Sequence, residues 1–201
     1  MQDFHYQPGD VAACFGTDVA ARVISLATAS PLAPRGLRYA PSHVAILCPH
    51  EDRPLWVEST TLCGHPCQMR CQATAGVQAH PPARRIADYM EAGGRVDIYR
   101  LHGLSKLSAE EVRLLHRILV KHLLAEGGCY DLPGALISGT RLLRFLPGAE
   151  LRDLFCSELV AAVLMRLGRL NHANPARFHP GRLLRDLVRT GKIARVTTFS
   201  H

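Results

Sequence analysis

The 201-residue chain has no apolar run of about eighteen residues, so it offers no candidate for a membrane-spanning helix. Its opening stretch, MQDFHYQPGDVAACF, has neither the basic segment nor the apolar stretch of a secretory leader, and the chain reads as cytoplasmic. Seven cysteines are an odd number without regular spacing, which excludes a small secreted disulfide scaffold and favours reduced thiols. Aromatic residues make up only 6%. The basic residues between Arg166 and Arg195 recur among leucines with Phe178 as the one aromatic among them, so no stacking platform or dedicated nucleic-acid site is evident. There is also no internal repeat, low-complexity tract or linker, and residues 1–201 read as a single domain.

What is present is a 47% hydrophobic content, enough for one sizeable core, and a net charge of +7. The basic helix faces read as solvated, while attraction to an anionic lipid or polymer surface stays open. Short β-type runs occur at GDVAACF, SHVAILC, PLWVEST, GVQAH, RVDIYRL and KIARVTTFS. Helical patterns lie between them. DVAARVISLAT has the stripe Val19, Val23, Leu26 with Asp18 as a cap, and ARRIADYMEAGG is a short helix stopped by glycines. In the long helix from Ser108, Glu111 stands at capping-box spacing and Gly127 and Gly128 form the end. HPGRLLRDLVRTG is a further helix. This order predicts an α+β domain, an antiparallel sheet with helices packed at its side.

The stretch RDLFCSELVAAVLMRLG poses the functional question. Apolar residues at 154, 155, 159, 160, 163, 164 and 167 predict an amphipathic helix ending at Gly168, with Cys156 in its first turn. There the unpaired N–H groups and the helix dipole stabilise a thiolate. A free helix cysteine also serves simply as a small core residue, and this stretch alone leaves both readings open.

A nucleophilic thiol needs a base and a group to orient that base. SHVAILC and PLWVEST, separated by PHEDR, read as a hairpin. If Val44 pairs with Val57 and Ile46 with Leu55, His43 stands directly opposite Glu58 on the other face. Glu58 would then hold one imidazole nitrogen while the other faces the thiol. An ordinary surface His–Glu pair is the competing reading.

PGDVAACFG, SHVAIL, VEST, GGCYD and FCSELVAAVLMRLG followed by HPGRLL together resemble the circularly permuted branch of the papain-like NlpC superfamily, the YiiX-like proteins, related to lecithin retinol acyltransferase. The resemblance runs from about residue 8 to about residue 185. It implies a permuted papain-like fold with Cys156 as nucleophile, His43 as general base and Glu58 as the third polar residue. It also implies that Tyr130 and Asp131 shape a substrate cleft, and it places Asp10 at the first strand, where a structural role in a turn is expected. The backbone N–H of Cys156 is the natural oxyanion donor. The chemistry implied is attack on an amide or ester carbonyl through a thioester.

Three function classes follow. The first is a cysteine amidase or peptidase acting on a peptide or isopeptide, including cell-wall peptide. The second is an acyltransferase or acyl hydrolase on lipid esters, and the third a binding module that keeps the fold without turnover. No cofactor is required. CGHPCQMRC, with Cys63, His65, Cys67 and Cys71, departs from both zinc-knuckle and iron–sulfur spacing, and no metal is expected there.

Overall fold

The computed structural model describes residues 4–33, 35–51, 53–60, 63–73, 76–125, 155–171 and 173–200. Six strands form one antiparallel sheet: β1 Val11–Phe15, β2 His43–His50, β3 Arg53–Thr60, β4 Gly76–His80, β5 Arg95–Leu101 and β6 Ile193–Phe199, in the order β4-β3-β2-β1-β5-β6. The helices are α1 Val19–Ala27, α2 Pro82–Glu91, α3 Ala109–His116, α4 Phe155–Arg166 and α5 Pro180–Arg189. Each strand matches an apolar run read from the sequence. The specific permuted papain-like topology stays a matter for proposal.

Alternation along the strands gives the sheet two apolar faces, and each is covered. On one, Val11, Ala13, Val44, Ile46 and Val57 pack against Leu115, Leu164 and Leu183 of α3, α4 and α5. On the other, Ala12, Cys14, Ala45, Leu47, Trp56 and Ile98 pack against Ile86 of α2, with Phe4 and Tyr6 at the margin. Helices therefore lie on both faces, not at one side. The reason is that α2 connects the edge strand β4 to the interior strand β5 and crosses the second face on the way.

Local signals explain the element ends. Asp18 caps α1 by accepting from the Ala21 N–H at 2.8 Å. Ser108 and Glu111 form the reciprocal capping box, with Ser108 N–H donating to Glu111 Oε2 at 2.7 Å and Glu111 N–H donating to Ser108 Oγ at 3.2 Å. Beyond His116 the helix widens into a π-type segment, Arg117–Ala125. The glycine stop at 127 and 128 lies outside the described residues.

The β2–β3 register needs a correction. Ile46 pairs with Val57 and Cys48 with Leu55, two residues displaced from the expected Val44–Val57 and Ile46–Leu55 pairs. The cause is the turn. Pro49, His50, Arg53 and Pro54 all extend the strands, and the chain reverses within two residues, helped by Glu51 at φ +51°. A shift of two keeps every side chain on its expected face, so the apolar sorting survives. Glu58 moves from directly opposite His43 to opposite Ala45, one diagonal step away.

Candidate functional site

His43 is the first residue of β2, and Glu58 lies on the adjacent strand. The diagonal is within reach of these side chains: His43 Nε2 stands 2.7 Å from Glu58 Oε2. Both are buried, His43 at 7% and Glu58 at 0% exposure. Trp56 Nε1–H donates to the same oxygen at 2.9 Å, and Arg85 Nε–H donates to Glu58 Oε1 at 2.7 Å. Arg85 in turn bonds Asp88 at 2.6 Å, and His65 Nε2 lies 3.0 Å from Asp88. A chain of polar groups thus runs from the half-buried His65 inward to His43.

Cys156 enters from the opposite face of the sheet, as the second residue of α4. It is fully buried in the helix-side core and meets His43 through a hydrogen bond. Burial alone would push the His43 pKa down. The charge and hydrogen bond of Cys156, joined by those of Glu58, outweigh it and carry the imidazole from its ordinary 6.5 to about 10. Glu58 moves the other way. Burial would raise it, but the His43 hydrogen bond and charge, with Arg85 and Trp56, hold it down at about 2. The geometry brings together the three residues expected from the sequence: thiol, imidazole and carboxylate. Tyr130 and Asp131, the expected cleft residues, lie outside the described residues.

His43 also lines a cavity of about 70 Å³ with Ser42, Thr60, Arg85 and Tyr89, closed on one side by Asp18, Ala21 and Ile24 of α1. Ser42 Oγ fixes this rim by accepting from Gly16 N–H at 3.1 Å and donating to the Cys14 carbonyl at 3.2 Å. Other buried thiols have the opposite character to a nucleophile. Burial raises Cys14 well above the ordinary thiol range, takes Cys48 to about 12 and also raises Cys63.

Sequence reasoning missed Arg85, Trp56 and His80. Trp56 could have been found, because it sits two residues before Glu58 and so on the same strand face. Arg85 comes from α2, far along the chain, and carried no local signal. Asp10, expected to serve a turn, accepts from Gln7 N–H at 2.9 Å and binds the Arg100 guanidinium at 2.7 and 2.9 Å.

For metals, the one donor group found among the described residues takes only Cys63 from the cysteine-rich stretch. Cys67 is buried in the core and Cys71 is exposed. Glu58, Cys63 and His80 offer ligand atoms within 4.8 Å of one another. The Arg85 guanidinium, 2.7 Å from Glu58, already supplies positive charge at that carboxylate.

Glu158 is a second buried acid near the thiol, two residues along α4. Its Oε2 has no hydrogen-bond partner among the described residues, and burial raises its pKa from 4.5 to about 7. A raised carboxyl pKa gives stability that is complete below the unfolded value and lost as pH rises through about 7. Glu158→Gln is therefore expected to raise the melting temperature at pH 8 while changing it little at pH 4, measured by differential scanning fluorimetry. Comparison with family models and with curated proteins gives no match to this chain.

Proposed function

We propose that the protein is a thiol-dependent acyl hydrolase, a cysteine amidase or peptidase working through a Cys156–His43–Glu58 triad on a permuted papain-like domain. The observation that carries this reading is the buried imidazole held between a thiol at a helix start and an ionised carboxylate at 2.7 Å. That arrangement is what nucleophilic catalysis by cysteine requires, and the resemblance to the YiiX-like branch points the same way.

In the proposed reaction, Cys156 Sγ attacks the carbonyl carbon of an amide or ester while the Cys156 backbone N–H donates a hydrogen bond to the developing oxyanion. The protonated His43 gives its proton to the leaving amine or alcohol, and a thioester remains on Sγ. Water then attacks the thioester as His43 takes one of its protons, the carbon–sulfur bond breaks, the acid departs, and the Cys156 thiolate is restored beside a protonated His43. Glu58 keeps the imidazole oriented and favours its protonated form throughout. Arg85 and Trp56 hold Glu58.

The second reading, acyl transfer or hydrolysis on a lipid ester, is favoured by one observation: the α1 wall of the His43 cavity carries exposed apolar side chains on its outer side. Electrophilic probes built on peptide and on lipid acyl groups test the class and the substrate together. Labelling of Cys156, absent in Cys156→Ala and strongly reduced in His43→Ala, is the expected outcome, at a pH where Cys14, Cys48 and Cys63 do not react. Equal labelling of the His43→Ala protein would remove the basis of the enzymatic reading and leave the binding-module class.

A further inference from the structure

We propose that α1 and the loop after it, residues 19–39, form a docking face for the surface of an anionic lipid bilayer. Seven large apolar side chains are exposed among the described residues, and five of them belong to this stretch: Val19, Val23, Leu26, Leu32 and Tyr39. Val19, Val23 and Leu26 fall at i, i+4 and i+7 and share the outer face, whereas Ala20, Ala21, Ile24 and Ser25 turn inward. Of the four large apolar side chains of α1 only Ile24 therefore faces the interior, where a helix that only had to cover a sheet would bury the others too.

The loop holds its apolar residues outward in a fixed shape. Ser30 N–H donates to the Arg38 carbonyl at 3.1 Å and Ala33 N–H to the Ser30 carbonyl at 3.1 Å, closing the loop on itself. Ala33 and Leu37 anchor it in the interior, and Leu32 is left 95% exposed at the tip. Tyr39, 69% exposed, has the amphipathic ring favoured at a membrane interface.

Charge decides between occupants. Arg22 and Arg38 are exposed and have no ion pair among the described residues. Arg185 reaches the same stretch through a 3.1 Å bond to the Thr28 carbonyl, and the Arg195 guanidinium lies beside Gly36. The stretch itself has no acidic residue, and Asp18 just before it is engaged in capping α1. An apolar centre with a cationic rim matches acyl chains below anionic headgroups. A second copy of this chain meeting the same face would set the cationic rims against each other. Docking is interfacial, since no described helix is long and apolar enough to cross a membrane.

The docked face would bring the bilayer to the α1 wall of the His43 cavity. Binding itself needs no step of the thiol chemistry; only its value for delivering an acyl substrate rests on the lipid-ester form of the proposed function. The test is co-sedimentation of the full chain with mixed phosphatidylglycerol–phosphatidylcholine vesicles and with pure phosphatidylcholine vesicles, at low and raised salt. Binding is expected to the mixed vesicles, weakened by salt, and reduced at least about tenfold by Arg22→Glu with Arg38→Glu. Leu26→Asp with Leu32→Asp should abolish it without lowering the melting temperature, and Cys156→Ala should bind like the unaltered protein.

Absence of binding to the mixed vesicles, or full binding by the Leu26→Asp/Leu32→Asp protein, would overturn the proposal. A large fall in its melting temperature would also do so, because those leucines would then be packed within the chain. So would wild-type dimerisation through this face without vesicle binding. Intact binding by an unaltered protein that hydrolyses no acyl substrate would sink the proposed enzymatic function and leave the docking face standing.

Discussion

Cys156→Ala and His43→Ala are each expected to lower turnover of an acyl substrate by roughly 10³-fold or more, and the double variant by no more than either alone. The non-additivity is the informative part. A thiol without its imidazole, or an imidazole without its thiol, cannot perform the proposed step, so the second substitution has nothing left to remove. The two side chains are already in contact, and each is buried, so neither has a ready substitute among the surrounding groups. Single-turnover rates with a thioester-forming substrate, set beside the melting temperature of each variant, check this. Losses that multiply in the double variant would mean the two residues act independently and would exclude a shared mechanism.

The strands were readable because each is a short apolar run bounded by turn residues: β1 follows Pro8-Gly9, and β5 follows Gly93-Gly94. The Asp18 cap and the Ser108–Glu111 box were readable for a similar reason, since capping is a local property of three or four residues. The face on which α1's stripe would lie was not. Periodicity says that Val19, Val23 and Leu26 share a side, but only the tertiary fold decides whether that side meets the sheet or the solvent.

The triad shows the same division. His43 and Glu58 could be paired from sequence because strand alternation puts both on one face whatever the even-numbered shift in register. Their direct opposition was wrong because it depended on a turn whose length the PHEDR stretch did not disclose. Arg85 was hidden for a different reason. It belongs to α2, whose crossing of the second sheet face follows from the whole topology, and an arginine on an amphipathic helix ordinarily points to water.

That concealed residue controls the second large effect. Glu58→Gln keeps the shape of the side chain but removes its charge, leaving Arg85, whose side chain is 10% exposed, facing an amide in place of a carboxylate. Breaking a buried pair from one side costs about 3–5 kcal/mol, and the low end is expected here because Asp88 still holds Arg85 Nη1 at 2.6 Å. Glu58→Gln combined with Arg85→Met should recover part of that loss, as measured by urea denaturation, because the buried guanidinium that lost its carboxylate is gone, while the half-exposed Asp88 keeps His65.

Activity separates the positioning role from the structural one. Glu58→Gln should keep measurable turnover where His43→Ala does not, because the carboxylate orients and stabilises the imidazolium without taking its proton. Its loss should also shift the pH profile in a definite direction. His43 is raised to about 10 partly by Glu58, so the imidazole keeps its proton until pH rises through about 10, and the stability this contributes is complete below the ordinary 6.5 and lost over the same rise. Without Glu58 that loss comes at lower pH, and the alkaline limb of the activity profile should move down. Glu58 is held at about 2, so its contribution is present above its ordinary 4.5 and disappears only as pH falls through about 2. The acid limb that it governs should therefore vanish in Glu58→Gln. An alkaline limb unchanged in the variant would show that Glu58 supports the sheet and Arg85 alone, and does not tune His43.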